Sequence, residues 1–176
     1  MSKTISFKLN TKDINRAIKE LDKYKQDFLK KVELYRKRLA EEIGNDAKLG
    51  FASSGVEDLL RGGTRQANVS VNVTHNGNIS LVIAMGEDAV WCEFGAGVYH
   101  NGGAGGSPNP YGSELGLTIG GYGKGHGKQQ VWGYYEIPGD PTTLVLTHGT
   151  KATMPMYNAV QSIIPKAVSI AREVFS

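Results

Sequence analysis

Residues Thr4 to Leu9 alternate, with Ile5, Phe7 and Leu9 on one face and Thr4, Ser6 and Lys8 on the other. That is the period of a half-buried strand, and it predicts an edge strand within residues 1–10. Asn10, with Asp13 three positions on, suits a helix N-cap, so a helix is expected from Thr11. From there Ile14, Ile18, Leu21, Phe28, Val32, Tyr35 and Leu39 advance by fours and threes, with Lys25 interrupting the seam. Gly44 and Gly50 weaken the end of this pattern. The expected element is a long amphipathic helix over 11–49, roughly 50 Å long at ~1.5 Å per residue.

The stretch from Gly50 to Arg65 reads as a loop with one short helical turn. Val69, Val71 and Val73 then alternate with polar residues, and Asn76-Gly77 leads into Ile79, Leu81 and Ile83. An Asn-Gly pair between alternating β-branched runs predicts a hairpin over 67–85, closed by a type I′ turn. Asp88 to Phe94 reads as a short helix, with Asp88 as N-cap and Gly95 as its stop. Between Gly95 and Gly127 there are thirteen glycines in thirty-three residues, with only Glu114 and Lys124 charged. Such a stretch cannot build its own core, so 95–130 is expected to be a long loop or arm that orders against something else. Val131–Ile137 and Thr142–Thr147 flank Pro138-Gly139-Asp140-Pro141 and predict a second hairpin over 131–147. Met156, Ala159, Val160, Ile163, Ile164, Ala167, Val168 and Ala171 recur at helical spacing, which predicts a helix over 155–175. Pro155 suits its first turn, and Pro165 should break or kink it near Ile164. The order of elements predicts one α+β domain over 1–176: an antiparallel sheet of four to five strands packed on a long N-terminal and a C-terminal helix.

Composition narrows the classes further. The chain of 176 residues is 40% hydrophobic and 21% charged, enough for one core without metal or disulfides, and Cys92 is its only cysteine. No apolar run approaches a membrane span and the start lacks a signal peptide's apolar core, so a cytoplasmic site of synthesis and no membrane partner are expected. The formal charge of +3 is only mildly basic. Lys30, Lys31, Arg36, Lys37 and Arg38 form the densest positive run, a candidate DNA-facing set diluted by Glu33, Glu41 and Glu42.

The chemical inventory is thin. His75, His100, His126 and His148, with Cys92 and Glu93, fit no zinc spacing, so no metal is expected. Cys92 follows Trp91 inside an apolar stretch and reads as a buried, inert thiol. Gly120 to Lys128 tempts toward a phosphate loop, yet Tyr122 and Gln129 stand where the Walker pattern needs Gly and Ser or Thr. No cofactor is expected.

Trp91-Cys92-Glu93-Phe94-Gly95-Ala96-Gly97, after a hairpin and before a glycine-rich insertion, resembles the Val-Glu-Phe-Gly-small-Gly signature of tailed-bacteriophage head-tail joining proteins, the neck and tail-completion group of minor capsid proteins. His148-Gly149-Thr150-Lys151-Ala152-Thr153-Met154-Pro155-Met156 resembles the same family's stretch before its closing helix. The resemblance places family motif positions at Glu93, Phe94, Gly95, Gly97, His148, Gly149, Ala152 and Pro155. It implies a non-enzymatic virion protein of the head-tail interface, assembled in the bacterial host cytoplasm as a homo-oligomeric ring around the DNA passage. Its implied partners are a head connector or head-closure protein on one side and a tail tube or tail terminator protein on the other, with DNA met only in passing. A head-to-tail ring needs two different complementary surfaces per protomer. Candidate contacts are Tyr99, Tyr111 and Tyr122 on the arm and Phe28, Val32 and Tyr35 on the long helix. Two other classes stay open: a small intracellular hydrolase with a glycine-rich lid over His148 and a carboxylate, and a nonspecific DNA-binding protein acting through Lys30 to Arg38.

Overall fold

The computed structural model describes residues 4, 6, 8–97, 107–116 and 131–176. Helix α1 (Thr11–Ala52) starts at the expected cap: the Asn10 side chain accepts the Asp13 N–H at 2.9 Å. It runs through both Gly44 and Gly50 to Ala52, three residues past the expected end. Packing outweighs the roughly 1 kcal/mol helical cost of a glycine, because a Cβ on Gly44 would stand 2.3 Å from Val73 Cγ2. The glycine lets a hairpin lie against the helix backbone.

After α1 the chain forms β1 (Gly55–Asp58) and β2 (Gly63–Gln66), an antiparallel pair in a region whose sequence reads as a loop with a helical turn. Its composition carries no strand period. The pair is held from outside: Val56 is buried in the core and the Leu59 N–H donates to the Leu146 carbonyl at 2.7 Å. Asp58 also accepts from the N–H groups of Leu60 and Arg61 and from the Arg61 guanidinium, closing the turn.

The hairpin of β3 (Ser70–Asn76) and β4 (Ile79–Met85) forms as expected, with one adjustment. Asn76 pairs with Ile79, so the two loop residues are Gly77 and Asn78. Gly77 alone takes a positive φ, 52°, which is the demand of a type II′ turn rather than a type I′ turn. Next come α2 (Ala89–Phe94), β5 (Ala96–Gly97), β6 (Trp132–Tyr135), a 3-10 turn at Pro141–Thr143, β7 (Leu144–Thr147) and β8 (Gly149–Thr150). The closing helix is two helices, α3 (Pro155–Ile163) and α4 (Ala167–Phe175), with the break where Pro165 removes a donor.

The class is α+β, with antiparallel strands and the long and C-terminal helices as expected. Among the described residues the strands pair as four two-stranded ladders, β1–β2, β3–β4, β5–β8 and β6–β7, instead of one sheet of four or five. Ile5 and Phe7 of the expected edge strand lie outside the described residues, and Thr4, Ser6, Lys8 and Leu9 pair with no strand. Much of the expected arm, 98–106 and 117–130, also lies outside them.

The core sits along the C-terminal half of α1. Ala47 and Phe51 pack with Val56, Ala67, Val71, Cys92 and Ala159, joining the helix to the β1–β2 pair, the β3–β4 hairpin, α2 and α3. A second cluster of Ile163, Ile170 and Val174 packs against Tyr35, Leu39 and Ile43. Each large side chain so buried contributes about 1.5–3 kcal/mol.

Candidate functional site

The two motif stretches, more than fifty residues apart in sequence, meet in one joint. Helix α2 stops at Gly95 (φ 80°), and the chain enters β5, which pairs antiparallel with β8. The Cys92 carbonyl accepts the N–H groups of Thr153 (2.8 Å) and Met154 (3.1 Å). Beside it, α3 begins without a side-chain cap of its own, because its N-cap residue is Met154, in the left-handed region at φ 53°. The orphan N–H groups of its first turn therefore need an acceptor from elsewhere. Glu93 supplies it: one carboxylate oxygen accepts from Met156 N (2.8 Å), the other from Tyr157 N (3.0 Å). A buried anion at a helix N-terminus is favoured by the backbone dipoles as well as by the hydrogen bonds.

Glu93 also anchors part of the glycine-rich stretch. Asn109, fully buried, donates from Nδ2 to a Glu93 carboxylate oxygen at 2.8 Å, and its own Oδ1 accepts the Tyr111 N–H at 3.0 Å. Ser107 Oγ donates to the Phe94 carbonyl at 2.5 Å, and Tyr111 meets Tyr157 edge-on with centroids 6.2 Å apart. The segment 107–116 is thus tied to the motif joint. Tyr99 and Tyr122 lie outside the described residues.

The remaining motif residues hold the same joint. Gly97 takes φ 63° and Gly149 φ 118°, where an added Cβ on Gly149 would stand 2.0 Å from the Ala96 carbonyl oxygen. Pro155 is buried in the first turn of α3 and Ala152 is half-buried. His148 donates its backbone N–H to Glu57 at 2.7 Å, and its ring Nδ1 lies 2.9 Å from the same oxygen. Burial raises the Glu57 carboxyl, but the backbone and ring contacts of His148 outweigh it and hold the group below its ordinary value. This is a histidine and carboxylate pair, as the hydrolase alternative requires. Its hydrogen bonds, however, tie the β7–β8 junction to β1, and the partner of ring Nδ1 among the described residues is a carboxylate, not a hydroxyl or thiol. Cys92 is fully buried, and burial pushes its thiol up to about 11, far from a nucleophile's range.

Asp88 occupies the N-cap position of α2 but makes no cap hydrogen bond. It is buried and takes a two-pronged contact from the Arg65 guanidinium, at 2.5 and 3.1 Å, plus the Asn68 N–H at 2.7 Å. Sequence reasoning missed Glu57, Arg65 and Asn109. Asn109 stands between Pro108 and Pro110 in a glycine-rich run, a faint sign of a fixed turn.

Two apolar surfaces stay open. Along the N-terminal half of α1, Ile14, Ile18 (51%), Leu21 (55%), Phe28 and Val32 are exposed on the stripe that α4 covers farther along at Tyr35, Leu39 and Ile43. The cover ends where Phe175 touches Phe28 and Tyr35. Tyr35 is spent within the protomer, its hydroxyl donating to the Ala167 carbonyl at 3.2 Å. The second surface is a groove of about 480 Å³ between β4, α2 and α3, lined chiefly by Phe51, Val82, Ala84, Val90, Phe94, Met156 and Val160, with Tyr111 at its side.

The basic run does not form one patch. Arg36 is bound to Ser80 Oγ (2.6 Å) and the Gly77 carbonyl (2.8 Å), Arg38 to Glu173, Lys37 to Glu33 and Lys31 to the Ser176 carbonyl. Lys30 is exposed. His75 sits between Ser80 and Glu41, while His100 and His126 lie outside the described residues. Among the described residues no three His, Cys, Asp or Glu side chains gather as metal ligands, and no helix is long and apolar enough to cross a membrane. Compared with protein-family models, with curated proteins and with solved structures, the chain matches none of them.

Proposed function

We propose that this protein is a non-enzymatic structural component of the tailed-phage neck, a tail-completion type protein. In this reading it forms a homo-oligomeric ring at the head-tail interface, around the DNA passage. The observation that carries the reading is the apolar stripe of α1, which continues past the end of its intramolecular cover with Ile14, Ile18, Leu21, Phe28 and Val32 exposed. Contiguous apolar surface on this scale marks an interaction site. Counting Tyr24 and Leu29, seven side chains there are 38% to 55% exposed, a substantial part of the ~800 Å² per partner that a standard interface buries. The motif joint supports the same reading in another way. Its family positions serve to hold α2, α3 and segment 107–116 in fixed relation, as a subunit that transmits force between neighbours requires.

In such a ring the protomer offers α1 on one side and the groove side on the other, stacks on a head connector or head-closure protein, and presents a platform to the tail tube or tail terminator. The test is mass photometry of the purified protein across concentration, with negative-stain imaging of large species. Rings with a central hole are the expected result. A monomer at every concentration, alone and with purified connector, would overturn the reading.

A further inference from the structure

The groove has an unusual wall. Three consecutive residues of β4, Val82, Ile83 and Ala84, line it, although successive side chains of a strand point to opposite faces. The groove therefore runs along the edge of the strand. That edge is open: among the described residues β4 pairs only with β3, and Ile79–Met85 make no other backbone-to-backbone hydrogen bond. In an antiparallel pair about half the residues of each strand turn their N–H and C=O groups outward. An unpaired edge flanked by apolar walls is a template for an added strand. The outer face of β4 adds to the signal, since Ile79, Leu81, Ile83 and Met85 are all exposed there.

Near the start of the chain lies a segment of matching pattern, and its described residues, Thr4, Ser6, Lys8 and Leu9, pair with no strand. Ile5, Phe7 and Leu9 alternate with Thr4, Ser6 and Lys8, and Leu9 is 92% exposed. It cannot reach its own groove. Val82 lies beside Gly44, and Thr11 to Gly44 spans about 50 Å of α-helix. The ten residues before Thr11, fully extended, cover at most about 35 Å. A neighbouring copy has no such limit, and its α1 would carry the segment outward like a boom.

We propose that residues Thr4–Leu9 of one protomer add to the open edge of β4 in the next, seating Ile5, Phe7 and Leu9 in the groove between β4, α2 and α3. This deepens the ring reading and rests on it. The contact is heterologous, joining two different surfaces at opposite ends of α1, so it propagates head to tail and closes into a ring or continues as a filament.

The experiment uses full-length chains. Phe7→Asp removes the inserting segment and leaves the groove intact. Val90→Arg, with Val160→Arg as a second version, blocks the groove and leaves the segment intact; both positions are exposed, and circular dichroism with thermal melts checks folding. At a concentration where the wild type is fully assembled, each variant alone should show at least a tenfold loss of assembled mass. Mixing Phe7→Asp with a groove variant should restore one junction and give a 1:1 pair that grows no further. If the wild type assembles and either the segment variant or both folded groove variants assemble as well, or if the mixture forms no pair, this inference falls and the ring reading stands. If the wild type never assembles, both fall.

Discussion

Replacing Glu93 by glutamine changes almost nothing in volume and tests the motif joint directly. The carboxylate accepts three hydrogen bonds at 2.8 to 3.0 Å, from Met156 N, Tyr157 N and Asn109 Nδ2, in a site where the residue is 8% exposed. An amide keeps one acceptor oxygen. If that oxygen serves Tyr157 and Asn109, the amide nitrogen faces the Met156 N–H, donor against donor. One buried unsatisfied amide costs about 1–3 kcal/mol, and losing the negative charge at the α3 N-terminus removes about 0.3–1 kcal/mol more. A loss of about 3 kcal/mol is expected. In a chain of this size that lowers Tm by roughly 6–12 °C. Urea unfolding followed by circular dichroism measures the first figure and calorimetry the second. Limited proteolysis should also show faster nicking within 107–116, because the Asn109 amide then bonds a neutral amide oxygen in place of a carboxylate, a weaker anchor. A Glu93→Gln protein within ~0.5 kcal/mol of wild type at an unchanged urea slope would refute the reasoning, since the cap would then be replaceable by solvent.

Gly149→Ala should destabilise the β5–β8 pairing by at least about 2 kcal/mol, read by urea unfolding, because φ of 118° and the Ala96 carbonyl 2.0 Å from the new Cβ both oppose it. Asp88→Asn should lower stability by about 1–3 kcal/mol in the same assay, because it removes the negative charge facing the Arg65 guanidinium in a two-pronged contact, while Glu136, 3.3 Å from Arg65 Nε, still compensates part of that cation. Glu57 is held below its ordinary 4.5 in the folded chain, so its contribution is complete above that value and lost as pH falls through the lower folded one. The stability difference between wild type and Glu57→Gln, followed from pH 5.5 downward, should therefore shrink below about pH 4.5. Cys92, buried with its thiol pushed up to about 11, should resist aromatic-disulfide reagents at pH 8 while folded and react fully in denaturant.

Elements made by local chemistry were legible in the amino-acid sequence. Asn10 caps α1 through an N–H three residues away, the alternating valines and Gly77 make the β3–β4 hairpin, and Pro165 divides α3 from α4 because a ring cannot donate a hydrogen bond. The motif stretches around Glu93 and His148 could be picked out as well, but only as separate strings. Tertiary structure decided what they do. Glu93 caps α3 from sixty residues away, Asp88 leaves its own helix start for Arg65, and the run from Gly55 to Gln66, which has no strand period, becomes a β-pair because Leu146 and the core hold it. It also decided that the α1 stripe is half covered, its cover ending where α4 ends. The division has one physical cause. A cap, a turn or a proline acts within about four residues, where spacing fixes geometry, whereas a carboxylate's choice among distant donors depends on which backbones the packed core brings within 3 Å.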